Sequence, residues 1–493
     1  MQEEFPINAV TALPTFYRTY SRVIGSSRES WQDVCDRTIY NPESGLAVVG
    51  KLTPEESHLI YNEQLNLRAV SSGRWLWCGG TQWLTDPKNW HGAFNCSSTQ
   101  VEELKDFGRL MNLAMQGVGT GAVLTQTAIS KLPSVANRIT IVQGYAAIGT
   151  LPKDQRFEHT KILPITYEDR LAYILMVGDS REGWVEAYQF MIDQAFSPDN
   201  PHKFCQLVID VSGVRPNGEP LKGFGGIANP TILPELFTRV AELLNDAKGR
   251  QLNSLECCLL IDEAARIVVA GNLRRSAGMR QFDCTDELGA TAKLNLWEHT
   301  ADGRWIIDPK RQPLTLANHT RVFWRTPSFK DIHEAVTLQF KCGEGAIMYA
   351  PEALWRANKD LFPDELHADF LQRCEMGTVR EFISSNYPSI TEAELDNRVS
   401  RIGLNPCGEE FFRDNHCNLY QVHADQLDPF KVNLQSRAFI AATLGGCALL
   451  HRGFQDEKYQ RSREFDPRVQ ITITGLFDFF CENVWGGVVG MVG

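Results

Sequence analysis

Polar and apolar positions over residues 1–70 recur at a helical spacing. In TPEESHLIYNEQLNLRAV, Leu59, Ile60, Leu65 and Leu67 give a rough apolar face to an otherwise polar run. Thr53 can cap this helix, Pro54 suits its first turn, and Glu56 stands three residues after the cap, as in a capping box. Residues 1–70 therefore read as an N-terminal helical region. From Ser71 onward short apolar runs alternate with longer amphipathic ones. ITIVQGY and CQLVIDV predict strands; ILPELFTRVAELLNDAK and SLECCLLIDEAARIVVAG predict helices. That alternation predicts an α/β architecture with parallel strands.

Glycine-rich stretches interrupt the pattern. QGVGTGAVL, residues 116–124, follows a helical run and precedes an apolar one. It is a helix-to-strand turn, the reverse of the strand-to-helix context of a dinucleotide-binding fingerprint. GVRPNGEPLKGFGGIANP, residues 213–230, sets five glycines and three prolines between a strand and a helix, and a loop of that length in a compact domain usually has a function. The chain closes on VQITITGLFDFFCENVWGGVVGMVG, a strand, a short aromatic helix and an apolar glycine-rich finish. Exposed, such a finish would invite aggregation, so it is expected either to be buried or to continue in the natural polypeptide.

Composition narrows the function classes. The 493 residues are 43% hydrophobic and 22% charged, enough for one large domain or a few smaller ones. A net charge of −11 argues against coating nucleic acid or a membrane surface, which need an electropositive face. Thirteen cysteines, an odd number with no C-x-x-C pair, fit neither a secreted disulfide scaffold nor a zinc ribbon. The expected setting is a reducing cytoplasm: the start MQEEFPINAV is acidic without a long apolar run, and no apolar stretch is long enough for a bilayer.

The densest chemistry lies in LNPCGEEFFRDNHCNLYQVH, residues 404–423. Pro406 biases Asn405 toward extended backbone and Gly408 permits a tight turn, so Asn405, Cys407 and Glu409 can converge on one point. A carboxylate beside the thiol raises its pKa, which disfavours a nucleophilic cysteine and suits a hydrogen-atom donor. A buried free cysteine in a turn is the competing reading. Cys417 could reach a distant third cysteine. Cys407, His416, Cys417 and His423 lack the paired short spacings of a zinc site, so no metal site is expected.

LNPCGE followed by HCNLYQV resembles the active-site loop of ribonucleotide reductases, in particular the monomeric, adenosylcobalamin-dependent ribonucleoside-triphosphate reductases. FYRTYSR at 16, SSGRWLWCGGT at 71, FNCSS at 94, GDSREGW at 178, RPNGEPLKGFGG at 215, VVAGNLRRSA at 268 and ITITGLFDFF at 471 agree in the same order. The resemblance implies a ten-stranded α/β barrel with a central active-site loop over residues 71–493, C-terminally incomplete, and an effector-binding region at about 97–230.

The resemblance also implies roles. A 5′-deoxyadenosyl radical from adenosylcobalamin would take the hydrogen atom of Cys407, and the thiyl radical would abstract the 3′-hydrogen of a ribonucleoside triphosphate. Glu409 matches the base for the 3′-hydroxyl proton and Asn405 the amide that holds a substrate hydroxyl. Cys96 matches the proton donor to the departing 2′-hydroxyl, and with Cys417 it would form the disulfide that supplies two electrons. Gly119, Gly121 and Ser97 match substrate contacts. Arg215 and Lys222 could touch a deoxynucleotide effector, and thioredoxin or a similar dithiol would be the reductant. GNLRRSA, with Arg274 and Arg275, reads as a charged helix end, Asp179 or Ser180 as a helix cap, and Cys35, Cys257, Cys258 and Cys342 as core or surface thiols. Family members continue past ITITGLFDFF into substrate-phosphate and cobalamin contacts and a terminal cysteine pair, expected here on a second polypeptide or absent. The rival readings are a reductase whose radical comes from a partner subunit, and a non-catalytic nucleotide-binding derivative.

Overall fold

The computed structural model of the protein describes residues 11–144, 146–167, 170–221, 227–270, 273–274, 277–294 and 296–481. Packing divides the chain into two compact units, Met1–Asn95 with His416–Gly493, and Cys96–Asn415. The first seam falls past residue 70 because the strand Ala69–Ser71 pairs antiparallel with Leu419–His423. That pairing joins the N-terminal helices to the last part of the chain.

In the first unit, Leu419–His423 also pairs in parallel with Gln470–Thr474, giving a three-stranded sheet. The helices Trp31–Tyr40 and Pro54–Leu65 open on the expected kind of signal. Ser30 with Asp33, and Thr53 with Glu56, form complete capping boxes. Phe16, Trp31, Val34, Leu67 and Val70 close a small core. Gln64 is fully buried, and it is satisfied: its amide nitrogen donates to Thr38 Oγ1 and its oxygen accepts from the Ser71 backbone and hydroxyl. The helix Val432–Ala448 packs on Leu419–His423 through small residues, and a Cβ on Gly445 would stand 2.2 Å from the Tyr420 ring.

The second unit holds a parallel sheet ordered Ala346–Tyr349, Ala317–Phe323, Gly278–Asp283, Gly119–Val123, Cys96–Gln100. Its central strands are buried on both faces, as parallel sheets covered by helices require. Beside it is a four-stranded sheet, Arg138–Gln143, Phe204–Asp210, Arg170–Met176, Lys161–Tyr167, antiparallel only in its last pair. Helices Arg181–Phe196, Leu233–Asp246 and Ser254–Arg266 bury Tyr188, Met191, Phe237, Val240 and Leu260 against Leu207, Ile209 and Leu175.

The α/β expectation holds, and so does the turn at residues 116–118 between the helix Lys105–Met115 and the strand Gly119–Val123. The helix expected over SLECCLLIDEAARIVVAG stops at Arg266. Its β-branched continuation forms the small antiparallel pair Val269–Ala270 with Leu273–Arg274, which replaces the charged helix end expected there. Arg275, Lys222 and the GGVVGMVG finish lie outside the described residues. No helix among the described residues is long and apolar enough to cross a membrane.

Substituting Gly445 by Val would drive a branched side chain into the fully buried Tyr420 ring. The expected loss is about 1–3 kcal/mol, the usual cost of overpacking. A lowered urea midpoint by tryptophan fluorescence checks it, and an unchanged midpoint contradicts it.

Candidate active site

The short strands Gly403–Leu404 and Phe411–Phe412 pair antiparallel and leave residues 405–410 as the loop between them. Asn405 builds that loop. Its carbonyl accepts from Gly408 N at 2.9 Å, and its side-chain Oδ1 accepts from Glu409 N at 2.9 Å and Glu410 N at 3.2 Å. Gly408 has φ 72°, left-handed backbone that a side chain disfavours, so the residue that permits the tight turn is used for it. Asn405 is fully buried, and its Nδ2 has no hydrogen-bond partner. An unpaired buried donor is costly to folding. Here it faces the loop that carries the candidate thiol, and it is a ready contact for a hydroxyl.

The hairpin base is fixed on the parallel sheet by a side chain. Gln281, fully buried on Gly278–Asp283, accepts from Leu404 N at 3.0 Å and donates from Nε2 to Leu404 O at 3.3 Å. Gly121 allows the approach: a Cβ there would lie 2.3 Å from Leu404 O. On the far side of the loop, Asp414 Oδ1 accepts from Gln100 N at 2.8 Å, and Arg413 pairs with Glu102 at 2.7 Å. One end of the loop is thus held by the strand Gly278–Asp283 and the other by the strand region that begins at Cys96.

Cys96 starts its strand in register with Gly119, and Ser97 Oγ donates to Gly119 O at 3.1 Å. Cys96 is buried, and its Sγ lies 3.5 Å from Cys407 Sγ. Cys407 and Glu409 are exposed, so the sulfur turns inward from a residue at the surface. The Cys407 thiol is pushed well above the ordinary thiol value, first by its contact with Cys96 and then by burial. The carboxylate expected to do this, Glu409, adds to the shift as the smallest contributor. Cys407 is therefore a protonated thiol, as a hydrogen-atom donor must be.

Of the residues singled out in the sequence, Cys96, Ser97, Gly119, Gly121, Asn405, Cys407 and Glu409 lie in one unit, gathered on two neighbouring strands and the loop. Cys417 is buried in the other unit, directly after His416, whose Nε2 lies 3.2 Å from His91 Nδ1. Cys96 and Cys417 are both in the reduced form. Arg215 is held inside its own loop region: Nε donates to Asp179 Oδ1 at 2.8 Å and Nη1 to Pro220 O at 2.9 Å. Ser180, not Asp179, caps the helix Arg181–Phe196. Arg156 makes a two-pronged pair with Glu219, at 2.8 and 2.9 Å, across the same loop.

Sequence reasoning missed Gln281, Arg280 and Arg156. Arg280, fully buried, donates to Thr120 O at 2.6 Å and to Asp262 Oδ1 at 2.6 Å, which fixes the backbone between Gly119 and Gly121. Only the spacing of polar residues within an apolar strand, MRQF, could have drawn attention to the pair. Cys258, Asp262 and His319 form a cluster with metal-like spacing among the described residues. Burial, and after it the nearby Lys293 and Arg280, holds the His319 imidazole neutral, and both cations are paired, so the cluster reads as part of a closed network of ion pairs.

Comparison with known proteins identifies relatives of one kind. Residues 144–244 match the B12-dependent ribonucleotide reductase insertion domain. The chain is 26% identical to the adenosylcobalamin-dependent ribonucleoside-triphosphate reductase of Lactobacillus acidophilus, over 96% of this chain and 62% of that protein. It is 28% identical to the protein of the same description from Levilactobacillus brevis, over 95% and 61%. A crystal structure of a B12-dependent, class II ribonucleotide reductase superposes with a TM-score of 0.70 at 19% identity, covering 96% of this chain and 64% of that one. The fold is that of class II ribonucleotide reductases. The chain spans about three-fifths of the length of the curated relatives it matches.

Two outcomes follow from the geometry. Alkylation of Cys407 by iodoacetamide should keep rising about tenfold per pH unit beyond about pH 8.5, where an ordinary thiol levels off. Peptide mass spectrometry reads it, and a plateau below that pH contradicts the protonated thiol. Gln281→Leu strips Leu404 of both backbone partners and should speed amide exchange in residues 403–412 by about tenfold or more. Unchanged exchange there would show that the hairpin does not depend on Gln281.

Proposed function

We propose that this chain carries the catalytic thiols of an adenosylcobalamin-dependent ribonucleotide reductase, converting ribonucleoside triphosphates to 2′-deoxyribonucleoside triphosphates. One observation carries the reading: a protonated Cys407 thiol stands 3.5 Å from Cys96, on a loop pinned to the sheet that also carries the unpaired Nδ2 of Asn405. Adenosylcobalamin, when bound, supplies the acceptor for the hydrogen atom of Cys407. The fit lies in the thiol itself, protonated and carried on a residue at the surface.

The chain's residues then divide the work. The Cys407 thiyl takes the 3′-hydrogen atom of the ribose and later returns one. Asn405 Nδ2 donates to a ribose hydroxyl, which removes the cost of its buried unpaired state. Glu409, exposed on the same loop, accepts the 3′-hydroxyl proton. Cys96 gives its proton to the 2′-hydroxyl, which leaves as water. Cys96 and Cys417 then lose two electrons and join as a disulfide, and a thioredoxin-like dithiol reduces it. Ser97 and the Gly119–Gly121 backbone, held by Arg280, border the substrate. The insertion region at residues 144–244, with the loop that Arg156 and Arg215 brace, takes a deoxynucleotide effector within the region of about 97–230. Lys222 remains a candidate for its phosphate. Residues 71–493 would carry the catalytic barrel, and we place the protein in the cytoplasm.

The test is electron paramagnetic resonance of the protein with adenosylcobalamin, a ribonucleoside triphosphate and a dithiol. A coupled thiyl–cobalt(II) signal is expected, and Cys407→Ser should abolish it together with deoxynucleotide formation. Glu409→Gln should lower kcat by about 10²–10⁴-fold, the usual contribution of a general base. Turnover without adenosylcobalamin, given a radical-generating partner subunit, would overturn the cofactor assignment. Nucleotide binding with no signal and no turnover would favour a non-catalytic role.

A further inference from the structure

The reductive cycle proposed above pairs Cys96 with Cys417, and Cys96 also touches the Cys407 thiol. We propose that Cys96 and Cys407 form a second dithiol site, which small disulfides oxidise to a reversible Cys96–Cys407 disulfide that masks the radical thiol. The consequence for activity rests on the reading of Cys407 given above; the chemistry of the pair does not.

Geometry supports the bond. The sulfurs are 3.5 Å apart, about 1.5 Å more than a disulfide requires. The loop is fixed at its ends, through Leu404 and Asp414, while Cys407, Gly408 and Glu409 at its tip are exposed. Closing the gap therefore asks for movement of the tip alone. Gly408, with no heavy atom within 4 Å of where a Cβ would stand, has open space around it.

Burial sets the order of events. Cys407 is reachable by a small disulfide, whereas Cys96 is buried at the start of a central strand. The Cys407 thiolate attacks the reagent RSSR, releasing one RSH and leaving Cys407–S–S–R. Cys96 then attacks the Cys407 sulfur of that mixed disulfide, losing its proton and expelling the second RSH. Two protein thiols are oxidised by two electrons, and one RSSR becomes two RSH. A dithiol reverses both steps. The high Cys407 pKa keeps the first step slow at neutral pH and lets it accelerate in alkali.

The bond would have a use. A thiyl enzyme with an exposed thiol is open to over-oxidation, and a disulfide to an adjacent buried thiol halts the ladder at a reversible rung. The site acts on the protein before any nucleotide binds, and so would protect the resting form.

The probe is 2-hydroxyethyl disulfide on the whole chain, without nucleotide or cofactor, followed by non-reducing digestion and mass spectrometry. The expected product is a peptide carrying Cys96 linked to the one carrying Cys407, lost on treatment with dithiothreitol. Oxidised protein should lose Cys407 alkylation. In Cys96→Ser, Cys407 should instead accumulate as the mixed disulfide. In Cys417→Ser the Cys96–Cys407 link should persist. Overturning results are a wild-type protein that stops at the Cys407 mixed disulfide, or Cys96 found linked only to Cys417. Loss of the link in Cys417→Ser would also overturn it, marking the link as a product of shuffling. None of these readouts uses turnover, so an inactive chain leaves the link intact, and a missing link leaves the reductase reading standing.

Discussion

The candidate site depends on one buried side-chain amide. Gln281 offers Leu404 the acceptor and donor that a neighbouring strand would otherwise provide, at 3.0 and 3.3 Å. A side chain can supply this pair only where the two backbones approach closely, which is why the facing position is Gly121. The loop beyond Leu404 then inherits a fixed origin. Asn405 folds it, Gly408 turns it, and Cys407 arrives beside Cys96 without a ladder of backbone bonds to lock the tip. A loop so held is precise at its base and adjustable at its end, which suits the hydrogen-atom exchange proposed for its thiol.

Charge is organised to the same end. An acidic protein could meet anionic nucleotides with free cations, but the arginines near the candidate regions are already engaged. Arg280 is tied to Asp262, Arg413 to Glu102, Arg156 to Glu219 and Arg215 to Asp179. Such pairs contribute more to placing backbone than to holding phosphate, and each ends on a backbone carbonyl or a loop that the function uses. Arg280 reaches Thr120 O, and Arg215 reaches Pro220 O. The long loop expected from its glycines and prolines is thus stiffened by ion pairs at its base.

Much of this was legible in the sequence, for identifiable reasons. Local signals transferred well: the Thr53 capping box, the turn at residues 116–118 and the strands of ITIVQGY and CQLVIDV depend on neighbours in the chain. The Asn405–Glu409 loop was readable because its turn chemistry is local too. What failed to show were contacts across long sequence separations. Gln281 and Leu404 are 123 residues apart, and Arg280 and Thr120 are 160 apart. The resemblance made Gly121 a substrate contact, and the structure adds a second demand on it, since a Cβ there would meet Leu404 O. The glycine was correctly noticed and its neighbour was not, since nothing in GVGTG names the distant strand that passes over it. Ile267, Val268 and Val269 mark the other limit: an apolar helical face predicted continuation where β-branched residues turned the chain into a strand pair.

The pKa of Cys407 shows why contact, and not sequence proximity, sets the chemistry. Glu409 is two residues away and contributes least; Cys96 is 311 residues away and contributes most. A neutral sulfur that accepts from the Cys407 thiol at 3.5 Å stabilises its protonated state without adding a formal charge that would need burial of its own. It leaves Cys407 a poor nucleophile that keeps the hydrogen atom a radical donor needs. The pairing of two thiols at the end of a central strand therefore fits the radical role proposed for Cys407. It also places an oxidisable partner within reach, which makes reversible disulfide formation a consequence of the same contact.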